Sequence, residues 1–100
     1  MAAYRGKRVR VSGYLRSADA TLGSFWLRVD GPGGVEAFDN MNDRALSGTN
    51  DWTPFAIVLD VPEDARGLIA GLLLQGHGTM WADDLRIDVV DFRVPSTTTM

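Results

Sequence analysis

The residues with the most evident binding chemistry lie between positions 24 and 30, where apolar and polar side chains alternate. Successive side chains of a β-strand point to opposite faces, and Phe25, Leu27 and Val29 together supply one complete apolar face. Trp26 and Arg28 are then left on the opposite face. An indole stacks on the apolar face of a ring compound, and a guanidinium donates hydrogen bonds to hydroxyl groups. This pair is therefore the first candidate for a ligand contact.

Neighbouring segments could extend this pair into a concave patch. The following strand and loop, and the last two strands, carry aromatic, amide and apolar side chains that could line it. The predicted ligand-binding residues are Trp26, Arg28, Phe38, Asn40, Met41, Leu73, Gln75 and Trp81. Aromatic walls with a few polar groups are the usual composition of small-molecule pockets. The alternative for the two tryptophans is a place in the core or at a subunit interface, since large aromatics dominate both.

Groups that could carry acid–base catalysis are few. His77 is the only histidine and lies between two glycines in a predicted tight turn. Histidine can act as a general base near neutral pH, and Asp39 or Asp43 could pair with it. Arg28, Asp39 and His77 are accordingly the catalytic candidates, although a histidine in a turn is more often exposed and without a role in catalysis. The chain carries no nucleophile elbow, phosphate-binding loop or dinucleotide fingerprint, so whether it is an enzyme stays open.

Asp83 and Asp84 are weak candidates for a metal site. Calcium takes roughly six to eight oxygen ligands, and two carboxylates do not supply them. The preferred interpretation is a carboxylate that bonds backbone at a kink or bulge in the last strand. The chain has no cysteine, so disulfides and zinc–thiolate sites are excluded. No cofactor is predicted.

Length and charge limit the class of protein and its partners. One hundred residues, 45% of them hydrophobic and 23% charged, are typical of one globular domain. The net charge of −3 argues against binding to nucleic acid, which needs a basic surface. No apolar run is long enough to span a membrane, and residues 1–10 do not form a signal peptide. We therefore expect no nucleic-acid partner, no membrane partner and a cytoplasmic location.

Short strands separated by turn residues must position these side chains. The glycine- and proline-rich segment 30–34 predicts a hairpin turn, and the apolar run at 67–75 predicts a central strand. Predicted strands cover residues 7–16, 24–30, 35–40, 52–61, 67–75 and 79–92, with loops at 17–23 and 41–51. This pattern predicts an all-β, antiparallel, jelly-roll-like β-sandwich of six or seven strands. Residues 1–94 form its single domain, and residues 95–100 form a frayed tail.

Several segments resemble parts of galactose-binding-like jelly rolls, the fold of carbohydrate-binding modules. The segments are Tyr4–Tyr14, Thr49–Phe55, Val61–Ala65 and Met80–Ile87 with its paired aspartates, and the likeness runs from about Tyr4 to Asp91. Members of that family usually carry further N-terminal strands, so the resemblance implies a short form with an open edge. An uncovered edge is an aggregation hazard, and a homodimer that shields it is the preferred solution.

The resemblance and the spare aromatic face lead to one functional prediction with two alternatives. The prediction is a β-sandwich module that binds a carbohydrate-like or other cyclic metabolite. The first alternative is a small cyclase or isomerase that acts on an apolar metabolite in the same pocket. The second is a dimeric interaction or sensor subunit. The expected partners are a small-molecule ligand and a second copy of the chain.

Overall fold

The computed structural model describes residues 3–98 and contains five strands. They are β1 Lys7–Gly31, β2 Gly34–Asp39, β3 Leu46–Val61, β4 Gly67–Gln75 and β5 Thr79–Val90. Every pairing between them is antiparallel, and no helix occurs in the described residues. The predicted all-β, antiparallel class is confirmed, with five strands in place of six or seven.

β1 organises the sheet because every other strand pairs with it. Its first half pairs with β3 on one side and β5 on the other, and its second half pairs with β2 and β4. The strand bends between these halves, where Asp19 has a φ of 50° and the register with β3 shifts on both sides of Ala20. The halves belong to two facing layers, β3–β1–β5 and β2–β1–β4.

This bend explains the lower strand count. The predicted strands 7–16 and 24–30 are parts of one strand, because the predicted loop at 17–23 stays extended through a series of register shifts. The second predicted loop, 41–51, is also shorter than expected, since β3 begins at Leu46. Small residues in both segments allow an irregular ladder, which periodicity alone does not distinguish from a loop.

The hydrophobic core lies between the two layers. Alternate residues of β1 and β3 supply most of it: Val9, Val11, Leu15, Phe25, Leu27, Val29, Phe55, Ile57, Leu59 and Val61. Phe25 and Phe55 stack across the layers with their ring centroids 4.9 Å apart. The apolar face predicted for residues 25–29 is therefore the face that packs inside.

Two local predictions are also confirmed. Gly31 pairs with Gly34 at the end of the β1–β2 hairpin. At the predicted kink in β5, Asp84 has a φ of 53° and the pairing with β1 shifts register. The Asp83 carboxylate accepts a hydrogen bond from the Asp84 backbone N–H at 2.8 Å. This aspartate thus bonds backbone at a kink.

The end of the described chain lies along β3. The Thr97 N–H donates to the Val58 carbonyl at 2.7 Å, and the Val58 N–H donates to the Thr97 hydroxyl at 2.8 Å. The Thr98 hydroxyl donates to the Phe38 carbonyl of β2 at 3.3 Å. Thr97 and Thr98 of the predicted frayed tail are thus hydrogen-bonded to the sheet, through the Thr97 backbone and the hydroxyl groups of both residues. Residues 1–2 and 99–100 of the predicted domain and tail lie outside the described part.

Candidate functional site

Trp26 lies on the outer face of the β2–β1–β4 layer. Its indole covers Gly71 of β4, where an added Cβ would come within 3.0 Å of the ring. The Arg28 guanidinium carbon is 5.9 Å from the centroid of the indole, and its Nε donates to the Asp30 carboxylate at 2.8 Å. The tryptophan and the arginine are both half-buried. The indole therefore points away from the core, as strand alternation predicts.

A shallow hollow of about 220 Å³ surrounds this indole. It is lined by five of the predicted ligand-binding residues, namely Trp26, Arg28, Phe38, Asn40 and Leu73. Ligand pockets usually measure roughly 300–1,000 Å³, so the hollow is smaller than a typical small-molecule site. Alternation predicted the outward face for the strand residues among them, and the pairing of β1 with β2 and β4 brings them together.

Three other predicted ligand-binding residues lie elsewhere. Met41 is 3% exposed and packs in the core, because its φ of 58° turns the chain inward after β2. Trp81 lies on the outer face of the other layer, with the Arg16 guanidinium carbon 5.2 Å from its ring centroid. Gln75 lies at the exposed end of β4, opposite Leu22. Their positions depend on a turn conformation and on the layer that each strand joins.

The three catalytic candidates are not assembled into one site. The Asp39 carboxylate is 0% exposed and accepts from the Met41 N–H at 2.8 Å and from Arg44 Nη2 at 2.5 Å. The His77 Nδ1 atom lies 2.9 Å from the Thr21 hydroxyl oxygen. Arg28 pairs with its own neighbour on β1. The expected histidine–aspartate pair is therefore absent from the described residues, since each group has another partner.

Arg44 is a residue that the sequence analysis missed. Besides Asp39, it donates to the Asp43 carboxylate at 2.6 Å and to the Ala56 carbonyl of β3 at 3.3 Å. Burial is the largest influence on the Arg44 pKa and lowers it, but the hydrogen bonds and charges of the two aspartates together raise the pKa above its ordinary value. The guanidinium thus fastens the β2–β3 loop to the sheet. An arginine five residues after an aspartate is too common a pattern to predict this pair.

The described residues hold no group of three or more histidine, cysteine, aspartate or glutamate side chains that could bind a metal ion. Asp84, the second of the weak metal candidates, accepts from Arg86 Nε at 3.3 Å. The carboxylates of the β5 kink are therefore engaged with backbone and with an arginine.

The arginines near the start of the chain do not form a continuous basic track. Arg8 bonds the Asp60 carboxylate at 2.7 Å, and this hydrogen bond lowers the pKa of Asp60. Arg10 lies 4.0 Å from the Asp88 carboxylate, and Arg5 Nε donates to a backbone carbonyl at 2.8 Å. The side chains of Arg5, Arg8 and Arg10 are thus each engaged with a carbonyl or a carboxylate.

A second surface lies along β4 and β5. We call it the open edge and define it by Leu72, Leu74, Leu85, Ile87 and Val89. These side chains are 38–52% exposed, although they share the parity of core residues in β1. The sandwich is therefore closed on the side of β2 and β3 and open on the side of β4 and β5.

One curated relative gives this chain a functional context. The chain is 42% identical over 96 residues to a protein of Bacillus subtilis (strain 168) called "Uncharacterized HTH-type transcriptional regulator YbfP". The match covers 94% of this chain and 32% of the relative, so the chain spans about a third of the relative's length. No protein-family model and no solved structure matches this chain.

The relative corrects the functional predictions. Its name points to transcriptional regulation, which contradicts the predicted carbohydrate-like binding module and its cyclase or isomerase alternative. The exclusion of a nucleic-acid partner is contradicted by the same name, because helix-turn-helix proteins contact DNA. The charge and motifs of this chain gave no indication of this context. In residues 3–98, no helix is long and apolar enough to cross a membrane.

Proposed function

We propose that this chain is an all-β component of transcriptional regulation that acts together with a helix-turn-helix DNA-binding unit. The observation that carries the proposal is the 42% identity to the Bacillus regulator across 94% of this chain. A match of this extent covers core and surface positions of all five strands. It supports a shared role for the domain, not only a shared motif.

The structure supports a division of labour in such a regulator. A helix-turn-helix unit reads bases by placing a helix in the major groove, and residues 3–98 contain no helix. The net charge of −3 also gives this chain no general attraction to phosphates. We therefore assign DNA contact to the helix-turn-helix unit, and to this chain the control of that unit through protein contact. Because the assembly must reach DNA, the proposal keeps the predicted cytoplasmic location.

A chimera tests the proposal. The region of the Bacillus relative that matches this chain is replaced by this chain, and RNA sequencing compares the native, deleted and chimeric strains. Deletion of the region should change the transcripts that depend on the relative, and the chimera should restore them. A chimera carrying Leu27→Asp is the control, since a charge at a core position that is 1% exposed should unfold the domain and reproduce the deletion.

Two results would contradict the proposal. One is that deletion of the matching region leaves the transcript levels unchanged. The other is that the strain with the folded chimera has the same transcript levels as the deletion strain. A gel-shift assay adds a direct check on the division of labour. The isolated chain should leave promoter DNA unshifted at concentrations at which the full-length chimera shifts it.

A further inference from the structure

β4 has the composition of a central strand but lies at an edge. Its residues Gly67–Gln75 include no charged residue and no proline. The outward-facing Ile69 and Leu73 are as apolar as the inward-facing Leu72 and Leu74. Exposed edges in natural proteins usually carry charges, proline or a bulge that prevents pairing with another chain. β4 carries none of these, and its pairing with β1 runs without a register shift.

The other side of the sandwich shows how this fold protects an edge. Thr97 bonds both the N–H and the carbonyl of Val58 in β3, and Arg44 donates to the carbonyl of Ala56. Thr98 donates to a carbonyl of β2. Within residues 3–98, the backbone of β4 bonds β1 alone. The unguarded edge is thus a particular feature of β4, not a general property of the molecule.

β5 forms the other border of the opening and differs from β4 in kind. It carries Asp83, Asp84, Arg86 and Asp88 and is kinked at its aspartate pair. Such charges and kinks prevent strand addition. β4 is therefore the strand to which a further strand can add, and β5 lies on the other side of the opening.

The exposed side chains of the open edge indicate what the partner must bring. Leu72 and Leu74 of β4 point into the space between the layers, and so do Ile87 and Val89 of β5. Facing layers are about 10 Å apart, which leaves room for one row of apolar side chains. A strand beside β4 with apolar residues at every second position would fill this space. Its backbone would hydrogen-bond the unpaired N–H and C=O groups of β4.

We propose that an extended segment of the helix-turn-helix polypeptide adds as a strand to the free edge of β4 and buries its apolar side chains against the open edge. This proposal rests on the proposed function. Because β4 carries no charge, the segment should be uncharged where it pairs. In the Bacillus relative, the match covers 32% of the protein, so most of the regulator's chain lies outside the matching region and can supply the segment.

Hydrogen exchange measured by mass spectrometry tests this docking in the chimera described above. In an antiparallel edge strand, roughly half of the N–H groups face away from the neighbouring strand. In the isolated chain, about half of the backbone amides in peptides covering residues 67–75 should therefore exchange fast. In the chimera, those amides should exchange at least about tenfold more slowly, since opening now requires undocking.

Two substitutions separate docking from folding. Leu72→Lys places a charge on the open edge at a side chain that is 45% exposed, and Val35→Lys is its matched control on β2 at a side chain that is also 45% exposed. The isolated variants should melt within a few degrees of each other. In the chimera, Leu72→Lys should remove the protection of 67–75 and impair regulation, whereas Val35→Lys should leave both unchanged.

The outcomes distinguish this proposal from the function on which it rests. A chimera that restores regulation while 67–75 exchange as in the isolated chain overturns the docking and leaves the function standing. A folded chimera that fails to restore regulation overturns both. Slow exchange in the isolated chain, together with a dimeric mass in sedimentation, would show that a second copy occupies β4. Protection and regulation that survive Leu72→Lys would also contradict the docking.

Discussion

Replacement of Arg44 by methionine should destabilise the domain strongly. The Asp39 side chain is 0% exposed, so the variant would leave a buried carboxylate with only the Met41 N–H as its donor. Loss of one partner from a buried ion pair costs about 3–5 kcal/mol. The Arg44 side chain is 31% exposed, and water can therefore replace part of the lost interaction. We expect a loss of about 2–3 kcal/mol in the free energy of unfolding.

This loss corresponds to a Tm lower by roughly 10–20 °C for a domain of this size. Thermal and urea unfolding at pH 7 measure it. Arg10→Met is the matched control, because the Arg10–Asp88 pair is 4.0 Å long and its side chains are 42% and 51% exposed. A surface pair of this kind contributes less than about 1 kcal/mol.

A double variant completes the test. Asp39→Asn combined with Arg44→Met removes both charges, so it should be clearly more stable than the sum of the single losses predicts. Two results would refute the reasoning. One is an Arg44→Met variant as stable as Arg10→Met, and the other is a double variant whose losses simply add.

The remaining predictions concern neighbouring faces and two carboxyl groups. Phe25→Ala should cost about 3–5 kcal/mol, whereas Trp26→Ala should shift the Tm by only a few degrees; equal losses in thermal unfolding would contradict the assigned faces. The Arg8 hydrogen bond lowers the pKa of Asp60 in the folded protein. The stabilisation that this pair gives is therefore present above pH 3.8 and is lost as pH falls through the lowered pKa of the folded state. Asp60→Asn should make the urea midpoint depend less on pH in that acidic range. A variant whose midpoint changes with pH as steeply as that of the native protein would contradict this. Burial first, and then a neighbouring carboxylate, raise the pKa of Glu36, so its contribution is present below pH 4.5 and lost as pH rises through the folded value. Glu36→Gln should therefore raise the urea midpoint at pH 7, and a lower midpoint would be the contrary result.

Strand alternation predicted much of the fold and part of the hollow around Trp26. Alternation from Phe25 to Val29 fixed which side chains face the core, and glycine and proline at 31–34 fixed the hairpin. The same reasoning brought Phe38 and Leu73 beside Trp26. Alternation predicts the face on which each side chain lies, and the β1–β2 and β1–β4 pairings then bring these side chains together.

Other features depend on relations that no local pattern contains. The positive φ of Met41 turns its side chain into the core, and Trp81 occupies the other layer because β5 pairs with the first half of β1. The Asp39–Arg44 pair joins the end of β2 to a loop. In each case, a backbone conformation or a long-range pairing decides the contact, so periodicity gave no signal.

The partner prediction failed for a different physical reason. A net charge of −3 and the absence of a helix from residues 3–98 describe this chain alone. Under the proposed function a second unit contacts DNA, and the charge and fold of this chain carry no information about that unit. The feature of this chain that bears on such a unit is its uncharged β4 edge, whose composition indicates a central strand. A strand with central composition at an unguarded edge is therefore the observation on which the proposed contact with another protein segment depends.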